Sequence, residues 1–248
     1  MSGKIRHQEP APPATDPAQF RAVVEGRRSI RKFLPDPIPQ AVLDDCIDLA
    51  LLAPNSSNLQ PWEFVIVRSE SVRQQLAHAC MDQNAAKTAP MLIVQLARTA
   101  TWRKHAQQIL DEWPTGEPPK LVKQYYGQLA HYHYAVGTLG AFGLLKRVVN
   151  SSVGLVKPAP RGPYTPADMR LWAAKTCALA CENLMLAARA HGFDSCPMEG
   201  FDEARVRQII PMADDAFVVM IIALGKRAPD GVYYARQRVP RSQVVREI

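Results

Sequence analysis

No run of 18 apolar residues occurs in this 248-residue chain, so nothing in it reads as a bilayer-crossing helix. The nearest approach, residues 134–156, is interrupted by Lys146, Arg147 and Asn150. The first 17 residues are polar and proline-rich and lack the apolar core of a signal peptide. Cysteine is sparse. Cys46, Cys80, Cys177, Cys181 and Cys196 form no Cys-x-x-Cys pair and no zinc spacing. An odd number with no disulfide framework points to a reducing compartment, and a cytoplasmic location is the expectation. No Gly-x-Gly-x-x-Gly follows the first apolar strand pattern, and Gly-x-x-x-x-Gly-Lys-Ser/Thr and Gly-x-Ser-x-Gly are missing. His131 and His133 stand two apart, so on a helix they face different ways and make no metal pair; no metal is expected. Without an evident nucleophile, paired carboxylates or metal set, the chemistry left is that of an enzyme whose cofactor reacts while the protein binds and tunes it.

What is present is ordinary in amount and uneven in place. Hydrophobic residues make up 47% and charged residues 21%, as in a globular protein. The net charge of +7 attracts anions. The cations recur in short groups at 27–32, 103–104, 146–147, 226–227 and 236–246, which fits anionic small molecules at least as well as a nucleic-acid stripe. Two blocks stand out. Arg27-Arg28-Ser29-Ile30-Arg31-Lys32 packs four cations and a hydroxyl into six residues, and guanidinium forks with a hydroxyl suit a phosphate. Ala53-Pro54-Asn55-Ser56-Ser57-Asn58-Leu59-Gln60-Pro61-Trp62 is amide-rich and suits a heterocycle carrying both donors and acceptors. A solvated basic turn is the plain alternative for the first block. For Lys226-Arg227 a solvated strand end is preferred over a second phosphate site.

Along the chain, residues 1–17 read as a flexible arm. Asp16-Pro17 opens a short helix that Gly26 ends. Helices are expected from Pro39 to about Ala50 and from Ser69 to Ala79, with strands at 63–67 and 91–96. Residues 121–149 read as helical, interrupted around Gly137, Gly140 and Gly143. The clearest helix runs from Pro166 to about His191. Residues 193–196 are extended, Pro197-Met198-Glu199-Gly200-Phe201 is a turn, Asp202 caps a helix to Ile210, and Ala216 to Leu224 is a last strand. The basic tail after Gly225 suits wrapping around a partner subunit. Few strands among large helices imply a layered α/β or α+β sandwich.

These pieces, in this order, resemble the FMN-dependent nitroreductase family. The resemblance rests on Arg27-Arg28-Ser29-Ile30-Arg31-Lys32-Phe33, the loop Ala53 to Asn58 with Gln60-Pro61-Trp62, Asn84 with Lys87, Pro197-Met198-Glu199-Gly200-Phe201, and Arg236-Gln237-Arg238. It implies an α+β fold, a three-layer α/β/α sandwich with a mixed central sheet, built as an intertwined homodimer with FMN at the subunit interface. One domain would span 18–248, with a lid or insertion at about 98–166 and the tail embracing the partner. By the same resemblance Arg27, Arg236, Arg238 and Ser29 would hold the FMN phosphate, and Arg28 would contact it through backbone. Arg31, Asn84 and Lys87 would lie at the pyrimidine edge. Pro54, Asn55, Ser56 and Asn58 would reach the flavin of the other subunit. Pro197 and Met198 would join the cofactor set, with Glu199 and Gly200 near N5. Tyr125, Tyr126 and Phe142 are lid candidates. The implied activity is ping-pong reduction of nitroaromatics, quinones or related acceptors by NADH or NADPH. Reductive dehalogenation or ring oxidation on the same flavin is the alternative, and a nucleic-acid-binding protein the least favoured. No membrane or nucleic-acid partner is expected.

Overall fold

The computed structural model describes residues 10–137 and 140–248. Four strands build its sheet: β1 (Trp62–Val67), β2 (Met91–Arg98), β3 (Asp194–Met198) and β4 (Ala216–Gly225). They lie in the order β1-β2-β4-β3, and every neighbouring pair is antiparallel. Among the described residues the parallel component is confined to one isolated bridge, Ser29 to Ser195, beside β3. Strands β2 and β4 are apolar on both faces because helices cover both. That pattern specifies burial and leaves strand direction open.

On one face pack α2 (Gln40–Leu51) and α9 (Pro166–Ala190). Helix α9 starts at a reciprocal cap: Thr165 Oγ1 accepts from the Asp168 N–H and Asp168 Oδ2 accepts from the Thr165 N–H. Its residues Cys181, Leu184 and Ala188 are buried at helical spacing and meet Leu43, Cys46 and Ala50 of α2 over Ile93 and Ile222 of the sheet. The alternate residues Leu92, Val94, Ile221 and Ala223 face the other layer. That layer is α3 (Glu70–Ala79), α4 (Asn84–Thr88) and α10 (Glu203–Ile209), closed by Ile30 and Phe33. Each fully buried leucine contributes about 1.5–3 kcal/mol. The result is the three-layer sandwich expected.

Helix α1 (Pro17–Gly26) is capped by Asp16, as the sequence suggests, but Gly26 is its last residue and no left-handed turn follows. Arg27 leaves in extended conformation (φ −67°, ψ 128°), which aims the cationic block along the sheet edge. Residues 102–153 hold α5 (Trp102–Asp111), α6 (Lys120–Gln124), a π-helical turn at Tyr125–Leu129, α7 (Ala130–Tyr134) and α8 (Ala141–Val153). The anticipated break falls after Tyr134, where Gly137 and Gly140 adopt φ of 77° and 82°. The group is anchored by Trp102, Tyr134, Trp172, Leu59 and Phe217. A last helix, α11 (Arg241–Val244), lies in the exposed tail.

Candidate active site

Residues 27–34 run beside the sheet and are held there by backbone. Ile30 N–H donates to the Ser195 carbonyl (3.1 Å), Arg31 N–H to that of Gly231 (2.7 Å) and Leu34 N–H to that of Lys226 (2.8 Å). Gly231 has to lack a side chain, since a Cβ would sit 2.5 Å from the Lys32 carbonyl oxygen. The beginning and end of the fold thereby meet. Together they line a cavity of about 320 Å³ with Arg27, Arg28, Ser29 and Arg31 on one side and Tyr233 to Arg238 on the other. Five arginines and no carboxylate line it. The nearest acid to Arg27 is Glu182, 3.9 Å from its Nε.

The arginines are organised by carbonyls. Arg236 Nη2 donates to the carbonyls of Glu25 and Arg27 (both 2.7 Å), and Arg28 Nη2 donates to that of Tyr234 (2.6 Å). Each guanidinium has five N–H groups, so donors remain for an anion. Arg31 turns inward, with Nη1 3.6 Å from Cys196 Sγ. Asn84 reaches the rim through Tyr233, donating from Nδ2 to its hydroxyl (2.8 Å). Lys87 does not line this cavity; it borders a separate groove with Glu70, Arg73 and Gln74 of α3. Gln83 Nε2 donates to the Gly200 carbonyl (2.8 Å) and fixes the exposed turn carrying Glu199. Pro197 and Met198 belong to β3 and not to that turn. The Met198 side chain is buried in the core, which leaves only its backbone for a ligand.

The amide loop lies apart from the cradle and is tightly made. Ser57, Asn58 and Gln60 hold φ of 60°, 51° and 45°, a region disfavoured for side-chain-bearing residues. Side-chain bonds hold that conformation. Asn55 Oδ1 accepts from the Gln60 N–H (2.9 Å), and Asn55 Nδ2 donates to the Ala53 carbonyl (3.2 Å). Ser56 Oγ and Ser57 Oγ each lie 2.8 Å from the Tyr134 hydroxyl. Ser57 Oγ also bonds the Tyr125 hydroxyl, and the Tyr126 hydroxyl donates to the Ser57 carbonyl (3.0 Å). Tyr125 and Tyr126 therefore grip the loop. Phe142 stands elsewhere, stacked edge-on to Tyr132 at 6.1 Å. Pro54, Ser56 and Asn58 remain exposed.

Sequence reasoning missed three features. Tyr233 and Tyr234 line the cradle; the tyrosine pair within a basic tail was the available signal. Lys226 is the exposed strand end expected, whereas Arg227 turns to protein partners. Its Nε donates to Asp194 Oδ2 (2.7 Å) and its Nη2 to the Gly26 carbonyl (3.1 Å). Lys146 is buried, and its Nζ donates to the His133 and Ala135 carbonyls (2.6 and 2.9 Å). The thiols are poor nucleophiles: burial pushes Cys46 and Cys80 up to about 11 and Cys177 to about 12. Burial also raises Cys196, against the opposing pull of Arg31 and Arg27.

Known proteins are similar to this chain in sequence and in fold. A protein named NADH dehydrogenase from Thermus thermophilus is 29% identical over 219 residues, covering 88% of this chain and 91% of its own. A nitroreductase-type protein of Bacillus subtilis, ydfN, superposes with a TM-score of 0.73 at 26% identity, over 93% of this chain and 99% of its own. A structure from Exiguobacterium sibiricum, described as a nitroreductase in complex with FMN, gives 0.67 at 24% identity, over 95% and 98%. The sequence profile of the Nitroreductase family matches residues 24–226. That span takes in the cationic block, the amide loop and the whole sheet, and on it the chain belongs to the Nitroreductase family.

Proposed function

We propose that this protein is an FMN-dependent NAD(P)H oxidoreductase reducing nitroaromatic, quinone or related electrophilic acceptors. The observation that carries this reading is the acid-free arginine cradle built from two segments some two hundred residues apart. Its donor set fits a phosphate monoester: planar forks for the phosphoryl oxygens and the Ser29 hydroxyl beside them. In this reading Arg27, Ser29, Arg236 and Arg238 hold the phosphate, and Arg28 braces the tail through the Tyr234 carbonyl. Arg31 and Asn84 address the polar edge of the ring, where a cation favours the anionic reduced form. Lys87 joins them only by turning out of its own groove. The exposed Gly200 N–H and Glu199 stand at the open end. Pro54, Asn55, Ser56 and Asn58 are offered to the flavin of a second subunit, and the tail embraces that subunit. Bound FMN supplies two-electron chemistry, accepting hydride from a nicotinamide and passing it to the acceptor. The chain's own task is to hold, orient and polarise, since its thiols are buried and no metal-binding cluster occurs among the described residues.

The test separates phosphate from ring. Purified protein is expected to be yellow and to release FMN on denaturation. Apoprotein should bind FMN at least about a hundredfold more tightly than riboflavin, as losing a charge-paired phosphate removes several charge-assisted bonds. Arg27→Ala should narrow that ratio while leaving riboflavin affinity unchanged. Equal affinity for the two flavins in wild type would count against the cradle as a phosphate site.

A further inference from the structure

Helix α8 is inside-out. Its buried residues are Gly143, Lys146 and Asn150, which share one face at helical spacing. The opposite arc, about 160° wide at about 100° per residue, carries Phe142, Leu144, Leu145, Val148 and Val149, all exposed. The chain continues with Leu155 and Val156, which are 89% and 90% exposed. A surface helix of a globular protein ordinarily shows the reverse. The orientation is fixed by close contacts. A Cβ on Gly143 would sit 1.7 Å from the Tyr164 carbonyl oxygen. Lys146 holds the carbonyls at the end of α7. Asn150 Oδ1 accepts from the Tyr132 hydroxyl (2.9 Å), and its Nδ2 donates to the Pro160 carbonyl (3.1 Å). Turning the leucines inward would break all of these, so the apolar arc faces out by construction and marks an interaction surface.

The surrounding charge says what kind. From Pro118 to Ala167 no aspartate or glutamate occurs. Arg147, Lys157 and Arg161 are exposed around the apolar arc. We infer that α8 and the Leu155–Val156 extension dock on an anionic lipid surface. The helix lies in the interface plane with its apolar arc at the acyl boundary and these cations among the headgroups. Packing this patch against its own copy about a two-fold axis would bring like charges together. No described helix is long and apolar enough to cross a membrane, so the contact is peripheral. The expectation of no membrane partner rested on the absence of a spanning run, which does not bear on an interfacial helix. The docking stands independently of the redox reading; with it, the reductase would reach acceptors dissolved in the bilayer.

The full-length protein is sedimented with phosphatidylcholine vesicles, with and without phosphatidylglycerol. Wild type should pellet with the anionic vesicles at least about tenfold more than with neutral ones, and less as salt rises. The double variant Leu145→Glu/Val148→Glu should lose that binding at unchanged mass by analytical ultracentrifugation. Leu155→Ser/Val156→Ser, placed after the helix, should weaken binding without touching the fold. No pelleting of wild type, or equal pelleting with both vesicles, would overturn the inference. So would a change of oligomeric mass in the first variant, which would assign the face to a subunit contact. FMN content, measured on the same samples, tests the reductase reading separately.

Discussion

Asp194 shows how one buried side chain can set a site it never touches. It is 2% exposed and accepts from Arg189 Nη1 (2.8 Å) and from Arg227 Nε (2.7 Å). Arg227 passes the connection on to the Gly26 carbonyl, one residue before Arg27 enters the cradle. Asp194 is buried but Arg189 and Arg227 are partly open to water, so removing the carboxylate charge costs its charge-assisted bonds, about 1.5–3 kcal/mol each at most, and not the full penalty of a buried unpaired charge. Asp194→Asn is therefore expected to lower stability in urea melts by about 1–3 kcal/mol. Among the molecules that remain folded, FMN affinity should drop with riboflavin affinity less affected. Unchanged melts would show that Arg189 and Arg227 find other partners. Lys32 and Asp230, paired at 2.7 Å on the open surface, should matter far less, because water screens them. The cationic members of the cradle were legible in the sequence as basic clusters and as a resemblance. Asp194 was not, because a lone acid in a strand carries no pattern until the fold supplies its partners, and the Tyr233-Tyr234 pair, though visible in the basic tail, needed the fold to bring it to the cradle.

At the scale of elements, the segment α7–α8 depends on protonation. Lys146 caps the end of α7, where a cation meets the unpaired carbonyls and the negative end of the helix dipole. Burial pushes Lys146 below its ordinary value. Burial, then the charge of Lys146, pushes His133 below its ordinary 6.5. A histidine depressed in the folded state gives stability that is complete above its unfolded value and lost as pH falls through the folded one. Proteolytic cleavage between residues 135 and 165 should thus accelerate as pH drops below about 6.5. His133→Gln should flatten that dependence, and Lys146→Met should raise cleavage at every pH. A rate unaffected by pH between 5 and 8 in wild type would remove His133 from the account. Regular elements were readable where one period dominates: the all-apolar β2 and β4, and the capped, alanine-rich α9. Helix α5 and the division of residues 120–134 into α6, a π-helical turn and α7 were not, although the break around Gly137 and Gly140 was. In α8 the polar Lys146 and Asn150 face inward and the leucines outward, so the usual rule linking hydropathy to burial points the wrong way. Sheet order was also hidden, since a strand buried on both faces carries no sign of its direction.

At the scale of the whole molecule, the cradle and the amide loop are thirty residues apart in sequence, yet they line different cavities of one chain: Arg27 and Arg31 the first, Asn58 and Gln60 a second beside α5. If the loop completes the neighbour's site, each active centre of a two-fold dimer takes its phosphate ligands from one subunit and its amides from the other. Mixed dimers can test this directly. One parent carries Arg27→Ala/Arg236→Ala and retains the wild-type loop. The other carries Asn55→Ala/Asn58→Ala and retains the wild-type cradle. Each parent alone should have two impaired centres. In a mixed dimer with shared centres, one centre collects both defects and the other collects none. Refolding the two parents together at equal amounts makes half the dimers mixed, each with one intact centre. Activity should then return to about a quarter of wild type. Centres built within single chains would give no recovery, because every centre would keep one defect. Tyr125 and Tyr126 sharpen the outcome. They hold the loop through Ser57 and belong to its subunit. Tyr126→Phe should therefore behave in the mixing experiment as a loop variant, complementing the cradle parent and failing to complement the amide parent.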